Sequence, residues 1–432
     1  MAISASLILL AVFGVLAFLG LPLAVAIVAA ALAAVSLVVP LDMALFTSAQ
    51  KMMASLDSFS LLAVPFFILS GVIMNSGGIA VRLVNLAKLL AGRIPGSLSQ
   101  TNIAGNMLFG AISGSAIAAS TSIGGVLVPM QAREGYDRNF AAAVNIASAP
   151  TGMLIPPTTA FIIYSLVSDG TSIAALFLAG AIAGLLWGIG LMSITSVIAW
   201  RRGWPLSPRV PFKAALRIVV EAIPSLFLIV IVIGGILGGV FTAVEASGIA
   251  VIYTLALAFV IHRTTPLRDL AKFLIETAMI TGTIMLLLAA SAALSFAMAF
   301  TGIPAAVTAL ILGISENPII VLLVINVILL VVGCFMDIGP AILIFTPILL
   351  PIATKIGVDP VQFGVILVFN LAIGTITPPV GTGLFVGAQV AGVKVEGAIR
   401  ALAPFYLMLI ALLMVVTYVP ALTMTLPKLF GM

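Results

Sequence analysis

The sequence predicts an all-α polytopic membrane protein made of two inverted repeats, each with a re-entrant helical hairpin and a proline-broken helix. Three observations carry that expectation. Of 432 residues, 63% are hydrophobic and 7% charged, and the mean hydropathy is +1.36, a composition that no soluble fold hides inside one core. Two proline pairs, Pro156-Pro157 and Pro378-Pro379, interrupt long apolar runs. A spanning helix cannot pass them intact, because proline lacks the amide proton and clashes with the preceding turn. The pairs stand 378 − 156 = 222 residues apart, an interval at which Pro129 also matches Pro351, Gly135 Gly357, Asp137 Asp359, Gly152 Gly374 and Gly170 Gly392. Identities at such backbone-special residues mark an internal repeat.

Helix one is expected to end near Leu19 and helix two near Val39, followed by a link with Asp42, Lys51 and Asp57 and a third helix from about Ser60. After Asn75-Ser76-Gly77-Gly78, the spacing of Arg82, Lys88 and Arg93 allows either an amphipathic arm at the membrane surface or a plain basic loop. From about 100 to 130, Gly105, Gly110, Gly114, Gly124 and Gly125 with Ser113, Ser115, Ser120, Thr121 and Ser122 suit a re-entrant hairpin, since small residues let two half-helices pack closely. A broken helix over about 140–165 and a helix from about Ile173 to Trp200 complete the first repeat, residues 1–200. A basic linker over 201–217, with Arg209, Lys213 and Arg217, leads to the second repeat, 218–432. Its expected elements are helices near Ile223–Val240, Ala246–Ile261 and Thr277–Phe300, an arm-like stretch from Thr301, a hairpin over about 318–352, a broken helix over about 361–387, and a last helix from about Ala401 to Val419.

Charge sets the orientation. The first arm carries Arg82, Lys88 and Arg93, while its counterpart has only Glu316; the link after helix two of each half shows the reverse, Lys51 alone against His262, Arg263, Arg268 and Lys272. Under the positive-inside rule equivalent elements face opposite sides, which makes the repeat inverted and puts the linker near Arg201 in the cytoplasm with both termini outside. The +5 net charge therefore speaks for orientation and not for nucleic acid. The apolar amino terminus lacks a basic n-region and reads as a first helix.

Lone Cys334 and lone His262 exclude a disulfide framework and thiolate or His-pair metal chemistry. Ser113-Gly114 superficially suggests an intramembrane serine protease, but His262 lies at a predicted membrane edge without a triad partner, and no nucleotide loop appears, so no enzyme and no organic cofactor are expected. Two inverted hairpins and two broken helices instead bring half-helix ends together, with amides that favour an anion and freed carbonyls that favour a hard cation such as sodium. One sodium site is expected at Ser113, Ser115 and the backbone of Gly152, a second at Asp337, Gly374 and Thr377; Thr158, Thr159 and Thr382 are substrate candidates. A carboxylate at a helix centre costs roughly 2.5 to 3.5 kcal/mol on insertion, which favours function for Asp337, although a helix cap is its structural alternative; the two serines serve equally well as packing residues. A channel shares broken helices but is usually a symmetric oligomer around a pore.

Asp57-Ser58-Phe59-Ser60-Leu61-Leu62-Ala63-Val64-Pro65-Phe66-Phe67, Ser113-Gly114-Ser115-Ala116, Ile155-Pro156-Pro157, Met336-Asp337, Thr346-Pro347 and Thr377-Pro378-Pro379-Val380-Gly381 together resemble the large membrane subunit of TRAP (tripartite ATP-independent periplasmic) transporters, over essentially the whole chain. That family belongs with the divalent-anion sodium symporters. Phe241-Thr242-Ala243-Val244-Glu245-Ala246 departs from the family's usual Thr-Pro-Thr-Glu-Ala. The resemblance implies a bacterial inner-membrane, sodium-coupled importer of an organic acid such as a C4-dicarboxylate or sialic acid, working by an elevator movement. It also implies a small four-helix membrane subunit and a periplasmic binding protein as partners. A self-sufficient divalent-anion sodium symporter is the alternative.

Overall fold

Among the described residues, twenty α-helices follow a plan that repeats at the 222-residue interval. In this computed structural model those residues are 2–76, 79–204, 206–207, 210–263, 265–315 and 317–432; Gly77, Gly78, Arg209 and Glu316, singled out above, lie outside them. In the first half α1 (Ala2–Phe18) and α2 (Leu23–Val35) lead to α3 (Leu41–Leu56), α4 (Ala63–Ser76) and α5 (Ile79–Ala91). A hairpin of α6 (Ser97–Ser113) and α7 (Ala116–Arg133) comes next, then the broken helix α8 (Arg138–Ser148) and α9 (Thr159–Val167), then α10 (Ile173–Arg202). The second half has α11 (Phe212–Leu237), α12 (Ala243–Leu255), one long α13 (Leu270–Thr301) and α14 (Ile303–Ile314). Its hairpin is α15 (Pro318–Phe335) and α16 (Ile338–Lys355), its broken helix α17 (Pro360–Gly374) and α18 (Thr382–Ala391), followed by α19 (Val395–Tyr418) and α20 (Pro420–Leu429). Seven described helices are long and apolar enough to cross a membrane, or eight spans if the bent α3–α4 pair counts as one.

The repeat is written in local chemistry. α7 and α16 end in Arg133 and Lys355, cations that complement a helix carboxyl terminus. The chain then turns through Gly135 and Gly357, at φ +83° and +88°. Asp137 and Asp359 next cap α8 and α17, each accepting a backbone amide at 2.8 Å.

Several boundaries differ from the sequence expectation. The stretch expected as a link after α2 is the helix α3, started by Pro40 with Asp42 in its first turn. Thr47, Ser48, Gln50 and Lys51 dilute its apolar character, which is why it reads as a loop; it meets the following helical run at 62°. Lys213 and Arg217 belong to α11 and not to a linker, with Arg217 paired to Glu221 at 2.8 Å one turn on. α13 and α19 start earlier than expected because Lys272 and Glu276, and Glu396 and Arg400, mimic link composition. Pro420 closes the last spanning helix and opens α20, which the sequence reading lacked. The first arm is helix α5 and not a loop, burying Ile79, Leu83, Val84, Leu86 and Ala87.

Packing sorts the helices into two groups. α13 lies against α2, α3 and α4, and α12 against α4 and α11, forming an outer group. The hairpins, the broken helices, α10, α19 and α20 pack on one another as a hairpin group. Within it the repeats interlock, since α7 rests on α18 and α16 on α9. Tyr164 of α9 adds a cross-repeat bond, its hydroxyl donating to the Pro360 carbonyl at 2.6 Å. Apolar burial is no driving force between helices in lipid, so close packing and such bonds hold the group.

Candidate functional site

Each hairpin turns at a tip built by its own sequence. In the first, Gly114 takes φ +62°, a left-handed backbone open to glycine, and its amide returns to the Gly110 carbonyl at 2.8 Å. Ser115 caps α7 by accepting the Ala118 amide at 3.3 Å, while Ser113 Oγ accepts the Ser115 amide at 3.4 Å. In the second, Met336 is extended and Asp337 takes the N-cap position of α16, yet its side chain makes no cap hydrogen bond. Ser115 and Asp337 are therefore the same position in the two repeats, one capping its helix through its side chain and one not.

Each tip also touches the break in its own repeat. A methyl group on Gly114 would stand 3.3 Å from the Pro157 carbonyl oxygen. Across the molecule the Cys334 carbonyl accepts the amides of Val380 and Gly381, both at 3.2 Å. The hairpin's first arm meets the helix before the break through paired glycines. A methyl on Gly152 would lie 2.6 Å from Gly110 Cα, and one on Gly374 2.4 Å from Gly333 Cα, so no side chain fits at either crossing. Buried asparagines pin the same elements: Asn106 Nδ2 donates to Asn145 Oδ1 at 3.1 Å and Ser148 Oγ at 2.7 Å, and Asn370 Nδ2 donates to Asn326 Oδ1 at 2.8 Å.

Between the two tips and the outer group lies a cavity of about 650 Å³. Ile68, Gly71, Val72 and Asn75 of α4 and Glu276, Ile280, Thr283, Ile284 and Leu287 of α13 form its outer wall; Ser113, Ser115, Thr159, Asp337, Thr375 and Thr382 contribute polar atoms from the hairpin group. Among the described residues, two carboxylates line it, Asp337 and Glu276, and no Lys, Arg or His does. Ser291 continues the α13 face, and its hydroxyl donates to the Leu343 carbonyl of α16 at 2.5 Å. That carbonyl is free because Pro347, four residues on, has no amide to give it.

The structure thus brings Ser113, Ser115, Asp337, Thr159 and Thr382 to one cavity and leaves the other expected residues off its wall. Gly152 and Gly374 are consumed in the glycine crossings. Thr377 Oγ1 donates to the Ile373 carbonyl at 2.7 Å, and buried Thr158 caps α9 by accepting the Phe161 amide at 3.4 Å. Pro156-Pro157 and Pro378-Pro379 form the breaks as expected. Sequence reasoning missed Glu276, Asn75, Thr283 and Thr375. Glu276 was legible as an acid with Ile280, Thr283 and Leu287 at helical spacing behind it; starting that helix at Thr277 left it out. No cluster of three or more His, Cys, Asp or Glu side chains that could hold a metal occurs among the described residues.

Two interlocked repeats with paired re-entrant tips around one cavity define the architecture of a polytopic membrane protein. The chain belongs to the family described as "Tripartite ATP-independent periplasmic transporter, DctM component", which matches residues 10–422. It is 48% identical over 419 residues to the uncharacterized protein YgiK of Salmonella typhimurium, covering 97% of this chain and 96% of that one. It is 38% identical to the sialic acid TRAP transporter large permease protein SiaM of Vibrio cholerae, covering 96% of each. It is 39% identical to the isethionate TRAP transporter permease protein DctMQ of Oleidesulfovibrio alaskensis, covering 95% of this chain and 65% of that longer one. The fold resembles the Alcanivorax borkumensis YdaH transporter, with a TM-score of 0.64 over 86% of this chain and 87% of the other at 15% identity. The chain is therefore a multi-pass protein of the bacterial inner membrane, the large permease subunit of a system that takes up a solute with a small membrane subunit and a periplasmic binding protein.

Proposed function

We propose that this subunit imports an organic acid by sodium symport, the hairpin group moving against the outer group as an elevator. The observation that carries the reading is the charge of the cavity: two carboxylates and no basic side chain among its described lining residues. An organic anion entering such a site needs cations beside it, and at an effective dielectric of about 20 two unit charges 4 Å apart still interact by about 4 kcal/mol. Sodium is taken at the first tip by Ser113 and Ser115 with backbone oxygens near Gly152, and at the second by Asp337 with carbonyls near Gly374 and Thr377. The cargo then lies against Thr159 and Thr382, with Thr158 behind the first. Relatives named for isethionate, C4-dicarboxylates, sialic acid and 2,3-diketo-L-gulonate support an acid as cargo. The basic residues near Arg82, Arg201 and Lys272 support a cytoplasmic position for those loops.

The test is uptake of labelled organic acids into proteoliposomes holding this chain with its small membrane subunit, with and without a sodium gradient and the binding protein. Uptake that needs both is expected. Uptake without the binding protein would assign the self-sufficient symporter instead, and a current without any gradient coupling would assign a channel.

A further inference from the structure

Glu276 stands on the other side of the cavity from Asp337, and the two acids differ in what carries them. Asp337 belongs to the hairpin group; Glu276 belongs to α13 of the outer group, one of the helices against which the hairpins would slide. Among the described residues Glu276 has no ion-pair or hydrogen-bond partner. The nearest cation along the helix, Lys272, is exposed one turn earlier and does not line the cavity. α13 follows Arg263, Arg268 and Lys272, and Asn75, at the carboxyl end of α4 just before the basic arm α5, also lines the cavity. With those basic segments read as cytoplasmic, both wall residues fall toward the cytoplasmic end of their helices.

We propose that Glu276 is the release carboxylate of the cytoplasmic side: fixed in the outer wall, it repels an anionic cargo only when the hairpins have delivered it there, and so lowers affinity at the point of exit. This rests on the reading of an anionic cargo and of basic loops in the cytoplasm. Asp337 cannot do the same, because it travels with the cargo and its charge is balanced by a cation that travels too. A neutral side chain at 276 would leave the cargo held in the cytoplasm-facing cavity.

The experiment is exchange of the transported acid in everted membrane vesicles of the full complex, where the cytoplasmic face is outermost, at fixed sodium. Glu276→Gln is expected to lower the half-saturating cargo concentration at that face by about tenfold and to slow net uptake in the forward direction. Glu276→Asp should behave as the native protein, and Lys272→Gln should leave the affinity unchanged. As a second readout, adding choline chloride should tighten cytoplasmic-side binding in the native protein through screening and leave Glu276→Gln unmoved. Equal cytoplasmic affinities in native and Glu276→Gln complexes, or equal salt responses, would overturn the proposal. Native vesicles that exchange a neutral cargo, or none of the acids, would instead overturn the reading beneath it.

Discussion

The two hairpins reach the same place by different chemistry. The first turns on Ser113-Gly114-Ser115, with a left-handed glycine and a serine whose hydroxyl oxygen caps α7. The second turns on Met336-Asp337, with extended backbone and a carboxylate that caps nothing and lines the cavity. Below the tips the halves agree closely, each crossing its broken helix through a pair of glycines. An inverted repeat therefore has to keep its backbone crossings alike in both halves, while the residue at the tip is free to differ. The shared positions carry the backbone packing, and the divergent ones carry the polar groups that the tips present to the cavity.

The glycine crossings should give the largest effect and should fail alike. Gly374→Val or Gly152→Val would force a side chain onto backbone atoms of Gly333 or Gly110, with no flexible group to move aside. Overpacking of this kind costs about 3 kcal/mol or more. Thermal denaturation in detergent should show a comparable loss for both variants. A large loss in one half with none in the other would break the comparison.

At the tips the halves should part. Asp337→Asn keeps shape and removes the charge; loss of one charged ligand contact is worth about 1.5 to 3 kcal/mol, so sodium-driven uptake is expected to drop by roughly 10- to 100-fold with stability unchanged. Ser115→Ala removes a cap worth about 1 kcal/mol, so it should cost stability and only a few-fold in uptake. Matching uptake losses, measured at saturating binding protein, would mean that the tips are equivalent after all.

How far the sequence could be read follows the same division. The repeat, both hairpins and both breaks were legible because Pro156, Pro378, Gly135 and Gly357 constrain the backbone whatever surrounds them. α3 was not, because Thr47, Gln50 and Lys51 look like a loop until Pro40 and the packing on α13 make them a helix. Ser113, Ser115 and Asp337 were found as polar groups at predicted half-helix ends. Glu276 escaped because what brings it to the cavity is the packing of α13 beside the hairpins, a long-range arrangement that no local pattern encodes. Gly152 and Gly374 were placed near the right helices for a different purpose, since sequence marks a close approach without saying what approaches.

The smallest expected effect concerns a contact that one hairpin has and the other lacks. Ser291, 2% exposed, donates to the Leu343 carbonyl that Pro347 leaves free, and so ties the outer group to the second hairpin. In the first repeat the counterpart of Pro347 is Gly125 and that of Leu343 is Thr121, whose hydroxyl stays on its own helix, bonded to the Ile117 and Ala118 carbonyls. Among the described residues no such tie forms there. If the tie holds this position of the hairpin group, Ser291→Ala should weaken it by about 1 kcal/mol, a roughly five-fold shift in population away from this arrangement. In a Cys334→Ser background, Thr283→Cys on the cavity wall reports the shift through its reaction rate with a membrane-impermeant maleimide. A rate changed severalfold by Ser291→Ala, with denaturation temperature held, makes the bond a one-sided latch on movement; an unchanged rate reduces it to packing.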